Sequence, residues 1–380
     1  MTDACPVCAT PDPEPVFALE NVPAHVAVVY PSPEAAREVA RGDIRLVLCA
    51  SCGHVWNAAF DPALTDYSEP YDASLHHSPA YAAFLETTAD DIARRHRLHV
   101  PTQEGAGRLA VEVGCGEGTF LRVLSQRTPC DALGIDPSAP RDGGGVTYWR
   151  KPFSETHADM LRQRDVALVA NRQMLHYIVD PVPFVRRMAA AGAPLYTEVP
   201  NGAWVFGEAV PWTVFYEHVA YFAPSSLARL LAEAGLGATV AAVYDGGQYL
   251  AAHSSDERPP TAPDPAHLEA VRRFGERARG LIETWRERLL EGADRTVVWG
   301  AAGRGTTFVG AMPEGRVLAV ADNNPARQGS FVAGTGHPIV APEDLVRLAP
   351  DRIVLTNATY ADEIRRQLAA LGVRAEVAIA

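Results

Sequence analysis

The chain has 380 residues, enough for two or three domains of ordinary size. It is 47% hydrophobic and 21% charged, the balance of a globular protein, and its formal net charge of −12 argues against a nucleic-acid partner or an anionic membrane surface. No run approaches the roughly 18 apolar residues of a spanning helix, and the first residues lack a basic segment followed by an apolar one, so a cytoplasmic location with reduced cysteines is expected.

Four of the six cysteines fall in two C-x-x-C pairs, Cys5 with Cys8 and Cys49 with Cys52. Two such pairs can close a tetrahedral shell of four thiolates, the usual way of holding structural zinc. The shell would leave no open position, so a metal there is expected to be structural. His54 follows the second pair and could compete as a ligand, but four sulfurs make it unnecessary; two redox dithiols or unrelated cysteines are the other reading. Cys115 and Cys130 stand apart and are expected to be small buried residues. Next comes a polar stretch rich in tyrosine and histidine, 67–78, containing Tyr71. It reads equally as a lid over a substrate pocket and as a solvated linker. Helical periodicity follows over 79–98.

Residues 109–121 read L-A-V-E-V-G-C-G-E-G-T-F-L. An apolar strand runs into glycines at 114, 116 and 118, and a helix pattern starts at Thr119. Glycine serves where the backbone takes left-handed angles or must approach a ligand closely, and the helix start offers free N–H groups. A second apolar strand ends in Asp136, about twenty residues on, a spacing at which a carboxylate can hold ribose hydroxyls. A pyrophosphate-binding loop would read G-x-G-x-x-G. Here the loop is G-x-G-x-G, preceded by the acidic Glu112 and free of basic residues, which suits a cationic, phosphate-free nucleoside. The stretch resembles the first motif of class I S-adenosylmethionine (SAM) methyltransferases, with Asp136 at the ribose position.

Further strands are expected at 146–149, 165–170 and 193–200. In the family, the segment after the fourth strand runs beside the methionine end of SAM and often reads H-x-L-x-H. Gln173 and Tyr177 replace those histidines, so the resemblance carries over the location, with Gln173 on the cofactor side, and not the side-chain roles. The fifth strand ends in E-V-P at 198–200.

The most unusual local sequence is P-W-T-V-F-Y-E-H-V-A-Y-F at 211–222. A histidine near neutral pKa can remove a proton, and a neighbouring carboxylate could orient it. Its rival reading is a packed aromatic cluster with a hydrogen-bonded histidine. The doubled C-x-x-C, the SAM motif and E-H-x-x-Y-F, in that order, resemble the sugar C-methyltransferases of antibiotic deoxysugar pathways. The resemblance implies nucleotide-linked ketosugars as substrates and His218 as the base beside a ketone, oriented by Glu217. The family's tyrosine falls on Phe215, leaving Tyr216 to supply a hydroxyl; Tyr71 and Tyr221 are candidates on the substrate side. The family's G-G-S-x-R falls on 246–250, where Gln248 and Leu250 replace the serine and arginine.

A charged amphipathic helix or helix pair over 261–291 reads as a connector. Strand, glycine turn and helix start then recur at 295–305, with a second strand ending in Asp322 and another at 352–357. As a dinucleotide site this loop has the wrong glycine spacing and holds Arg304. It matches the family's last domain, including D-x-N-P-x-x-Q-G at 322–329.

The expected architecture is therefore α/β: a zinc-binding module (1–75), a class I methyltransferase Rossmann-like domain (76–255), a helical connector (256–294) and a C-terminal Rossmann-like domain (295–380). Rival readings are O- or N-methylation of a natural-product intermediate, and a non-catalytic SAM- or NAD-binding protein.

Overall fold

The computed structural model describes residues 4–65, 78–100, 108–141, 143–292 and 295–380. Its largest sheet has seven strands in the order Gly237–Val243, Tyr249–Ser255, Leu195–Pro200, Val166–Arg172, Arg108–Val113, Cys130–Ile135 and Val146–Trp149. All run parallel except Tyr249–Ser255, which is antiparallel to both neighbours. The strand Val166–Arg172 is buried along its length and Arg108–Val113 nearly so, as strands covered on both faces must be. This is the doubly wound class I sheet that the glycine motif implied.

The first strand in sequence, Arg108–Val113, lies inside the sheet between the second and the fourth. The connections on its two sides therefore lead away in opposite directions, and a crevice opens beyond its C-terminal end. The glycine loop sits at that crevice. The helix Thr119–Arg127 starts from Gly118 and turns Phe120, Leu121 and Leu124 inward.

A second sheet, parallel throughout, has the order Ile339–Val340, Val317–Ala321, Thr296–Trp299, Arg352–Leu355 and Glu376–Ile379. It is joined to the first by one helix, Pro265–Glu291, where the periodicity allowed one or two. Pro265 opens the helix and the Asp264 carboxylate caps the Ala266 N–H at 2.8 Å.

The cysteine-bearing segment is not free-standing. Its strands Glu14–Pro23, Arg41–Leu48 and Val55–Asn57 make an antiparallel sheet whose fourth strand is Ala220–Tyr221, from the E-H segment. Val29–Tyr30 pairs with Phe331–Val332 of the C-terminal part. One apolar core accordingly contains Ile44 and Leu46 together with Trp212, Phe274, Phe308 and Val320. Trp212 is fully buried and meets the Phe308 ring edge-on at 4.7 Å. Trp212→Ala should cost about 3–5 kcal/mol, read as a fall in the urea midpoint, with the N- and C-terminal parts loosening together.

Candidate active site

Both glycine loops open on one cavity of about 750 Å³, in the cleft between the C-terminal ends of the two parallel sheets. That is toward the upper end of small-ligand pockets, roughly 300–1,000 Å³.

At one end stands the first glycine loop, whose three glycines all have positive φ but serve different purposes. A Cβ on Gly114 would lie 2.6 Å from the Met174 side chain. One on Gly116 would meet nothing within 4 Å, so this glycine borders open space. Gly118 is a correction: it lies outside the cavity wall, and its missing side chain makes room for the Tyr148 hydroxyl, 2.2 Å from where a Cβ would be. It is a turn and packing residue. Asp136 lines the cavity as expected and is held in place by the Gly116 N–H at 3.0 Å and the Ser138 N–H at 2.8 Å.

Glu112 is buried at the cavity wall with Oε2 unpartnered. Burial pushes its carboxyl up to about 8; Arg172 opposes this, while Glu198 and Asp136 add to it. The acid is thus largely protonated at neutral pH when nothing cationic faces it. A cation in the cavity would give it the partner it lacks, and the open face of Gly116 leaves room for one. These residues fit SAM.

Beside them Arg172 and Glu198 form a buried pair at 2.8 Å, with the Tyr196 hydroxyl and the Gln173 amide donating to the same carboxylate, each at 2.9 Å. The guanidinium also lies over the Phe120 ring at 4.4 Å. Gln173 therefore lines the cavity but has its amide N–H committed to Glu198, with its own backbone at φ +50°.

The other end is aromatic. Phe215 and His218 are the ends of a turn closed by the His218 N–H to the Phe215 carbonyl, 3.3 Å, and their rings meet at 4.5 Å. Such a turn sends the two middle side chains elsewhere. Tyr216 is accordingly a correction: its hydroxyl accepts the Asp61 N–H at 2.8 Å and its buried ring fills the space left by Gly42, away from the cavity. Glu217 does not orient His218. Its buried carboxylate accepts the Val26 N–H at 3.2 Å and meets His25 Nδ1 at 3.1 Å. Tyr221 lines the cavity with its hydroxyl accepting the Phe215 N–H at 3.3 Å. Tyr71 lies outside the described residues.

His218 is met edge-on by His176 at 4.4 Å and by Tyr177 at 5.4 Å. Burial, helped by the positive charge of Arg304, holds its imidazole down to about 3. His176 is likewise held well below the usual histidine range, by burial and then by His218. Both rings are neutral at pH 7, so each keeps a nitrogen lone pair. The sequence reading passed over His176, because it aligned the family's histidines on Gln173 and Tyr177; the available signal was a histidine inside the same short stretch.

The second glycine loop is folded on itself. A Cβ on Gly305 would lie 1.8 Å from the Gly300 carbonyl oxygen. Asp322 is buried and accepts the Ala301 N–H at 2.7 Å, the Asn324 N–H at 2.7 Å and Arg327 Nη1 at 3.2 Å. The acid that would reach a ribose in a dinucleotide fold is spent inside the protein.

Away from the cleft, the Sγ atoms of Cys5, Cys8, Cys49 and Cys52 all lie within 4.8 Å of one another. The Cys5–Cys52 and Cys8–Cys49 separations are 3.7 and 3.5 Å, close to the roughly 3.8 Å edge of a tetrahedron with 2.3 Å zinc–sulfur bonds. His54 is not part of this group; its buried ring stacks beside Trp56.

Residues 81–239 match the methyltransferase-domain family model, and residues 264–377 match the model of the C-methyltransferase C-terminal domain. The chain is a SAM-dependent methyltransferase that carries the C-terminal domain of the C-methyltransferases. Among curated proteins it is 28% identical over 287 residues to the C-methyltransferase NovU of Streptomyces niveus, an alignment covering 68% of each chain. It is also 28% identical over 154 residues to a ubiquinone biosynthesis O-methyltransferase of Methylococcus capsulatus, covering 34% of this chain and 64% of that one. Among solved structures, the magnesium protoporphyrin IX methyltransferase ChlM of Synechocystis PCC 6803, with bound SAH, is similar at a TM-score of 0.33 and 14% identity, over 46% of this chain and 84% of that one. The methyltransferase has no helix, among the described residues, long and apolar enough to cross a membrane.

A cation bound beside the raised carboxyl of Glu112 would make its binding a proton-linked event, and SAM is the cation to test. A cation beside it favours the ionised form, so binding below pH 8 should release up to one proton from a group at about 8. Calorimetric titrations in two buffers of different ionisation enthalpy should show this release, fading above pH 9 and absent in Glu112→Gln.

Proposed function

We propose that the enzyme methylates the carbon beside a ketone of a nucleotide-linked deoxysugar in natural-product biosynthesis, with His218 as the general base. The observation that carries this reading is the placement of the His218 ring, enclosed by Phe215, His176 and Tyr177 on the wall of the cavity that also holds Glu112 and Asp136. Carbon becomes a nucleophile only after losing a proton. The unprotonated ring nitrogen of His218 takes the proton from the carbon beside the ketone, and the electron pair of that C–H bond is shared with the carbonyl as an enolate. SAM, when bound at Glu112, Gly114, Gly116 and Asp136, supplies the methyl group that this carbon receives. After product leaves, His218 gives its proton to solvent.

One observation favours O- or N-methylation instead. Phe215 brings a ring without a hydroxyl to the position where the resemblance places a tyrosine, and such acceptors demand less of the base. His218→Asn separates the two readings. Turnover should fall roughly 10²- to 10⁴-fold with SAM affinity nearly intact, and the wild-type enzyme should exchange the hydrogen beside the ketone with deuterated water. A methyl group on oxygen or nitrogen in the product, or near wild-type turnover in the variant, overturns the carbanion route.

The four clustered cysteines are proposed to hold a structural zinc ion, in a cytoplasmic setting that keeps them reduced. Elemental analysis should find one zinc per chain. Cys49→Ser should lose it and lower the thermal midpoint of the whole protein, because the cysteine-bearing segment shares its core with the C-terminal part.

A further inference from the structure

Across the cleft from Glu112 stands a guanidinium that, among the described residues, has no acid to pair with. Arg304 opens the helix Arg304–Ala311 after the second glycine loop and lines the cavity. Its Nη2 donates to Gln248 Oε1 at 2.9 Å, and its charge lies over the Trp204 ring at 5.1 Å. Among the described residues no carboxylate forms an ion pair with it, whereas Arg172 in the same cavity is matched by Glu198 at 2.8 Å. Acids are not scarce: the chain has 46 against 34 lysines and arginines.

The surroundings hold the group ready. Gln248 Nε2 donates to Asp245 Oδ2 at 3.1 Å and to Thr359 Oγ1 at 2.6 Å, so its oxygen is turned toward Arg304 and also receives Asn357 Nδ2 at 3.4 Å. A guanidinium carries five N–H donors in a rigid fork that matches phosphate oxygens. Taking such a cation out of water without a counter-ion is costly, and burial holds its pKa below the usual arginine value. A ligand bringing negative charge would offset that cost.

We propose that Arg304 is the anion subsite of the acceptor, taking the phosphoryl oxygens of a diphosphate-linked substrate; this rests on the nucleotide-linked reading above. The subsite gives the second glycine loop a purpose other than dinucleotide binding. It also bears on the base. After burial, the charge of Arg304 is what lowers His218, and the other rings facing it, His176, Tyr177, Phe215 and Tyr221, carry none at neutral pH. An anion seated on Arg304 cancels that charge, so the base strengthens when the acceptor arrives.

The test is calorimetry on the full-length protein saturated with SAH, with inorganic pyrophosphate, thymidine diphosphate and thymidine as probes. Wild type should bind the first two, and Arg304→Gln should weaken both roughly 10- to 100-fold while leaving thymidine and SAH affinity unchanged. Arg304→Lys, which keeps the charge and loses the fork, should fall between them, and it carries the comparison if Arg304→Gln no longer binds SAH. Equal binding of both phosphorylated probes to wild type and the variants overturns the Arg304 subsite and leaves the nucleotide reading standing. Arg304-dependent binding of pyrophosphate, with no gain from the nucleoside in thymidine diphosphate, supports the subsite and removes the nucleotide. No binding of either phosphorylated probe to wild type overturns the subsite.

Discussion

The backbone of one residue, Val26, is held by both halves of the molecule. Its N–H goes to the buried carboxylate of Glu217, at 3.2 Å. Its carbonyl accepts the Gly303 N–H and the Thr306 hydroxyl, both at 3.2 Å. The E-H segment, the N-terminal chain and the second glycine loop are thereby fixed to one another at the cavity wall. Val26, Glu217 and Thr306 are buried, so leaving one of their groups unmatched would cost roughly 1–3 kcal/mol. That is why Glu217 has no freedom to serve the histidine beside it, and why His218 and Arg304 stand at a set distance across the cleft.

The cavity handles its charges in distinct ways, and together they describe what it is built to receive. Glu112 is neutralised by burial and its second oxygen is left without a partner. Arg172 and Glu198 cancel one another at 2.8 Å. His218 is kept neutral by its aromatic enclosure. Arg304 has no acid partner among the described residues. The first end of the cavity thus lacks a cation and the other lacks an anion. Two ligands of opposite character would meet in this cavity, beside the histidines on its wall.

Much of this was legible in the residues. Glycines at alternate positions after an apolar strand announce a loop at a sheet switch point, because only glycine takes φ of +74° or +72° there freely. The two C-x-x-C pairs announce a four-sulfur cluster because cysteine pairs at that spacing turn their thiols inward together. What was not legible depends on facing. Gly116 and Gly118 have the same backbone preference, and only the packed Tyr148 ring tells the cavity glycine from the packing one. Tyr216 and Glu217 stand next to His218 in sequence, but a turn brings residues 215 and 218 together and sends the intervening pair away. Arg304 reaches the site through tertiary contacts that no local pattern records, whereas His176 lies in a stretch whose expected histidines are matched to Gln173 and Tyr177.

The pairing of Val29–Tyr30 with Phe331–Val332 has a consequence for how such proteins can be recombined. The long helix Pro265–Glu291 looks like a natural point at which to cut and graft the last segment of one relative onto another. A chimera made there would set a foreign strand against Val29–Tyr30 and a foreign loop against Val26. The N-terminal chain and the C-terminal sheet are one inheritable block, although the whole SAM-binding sheet separates them in sequence. Acceptor preference should therefore travel intact between relatives only when both ends of the chain are exchanged together.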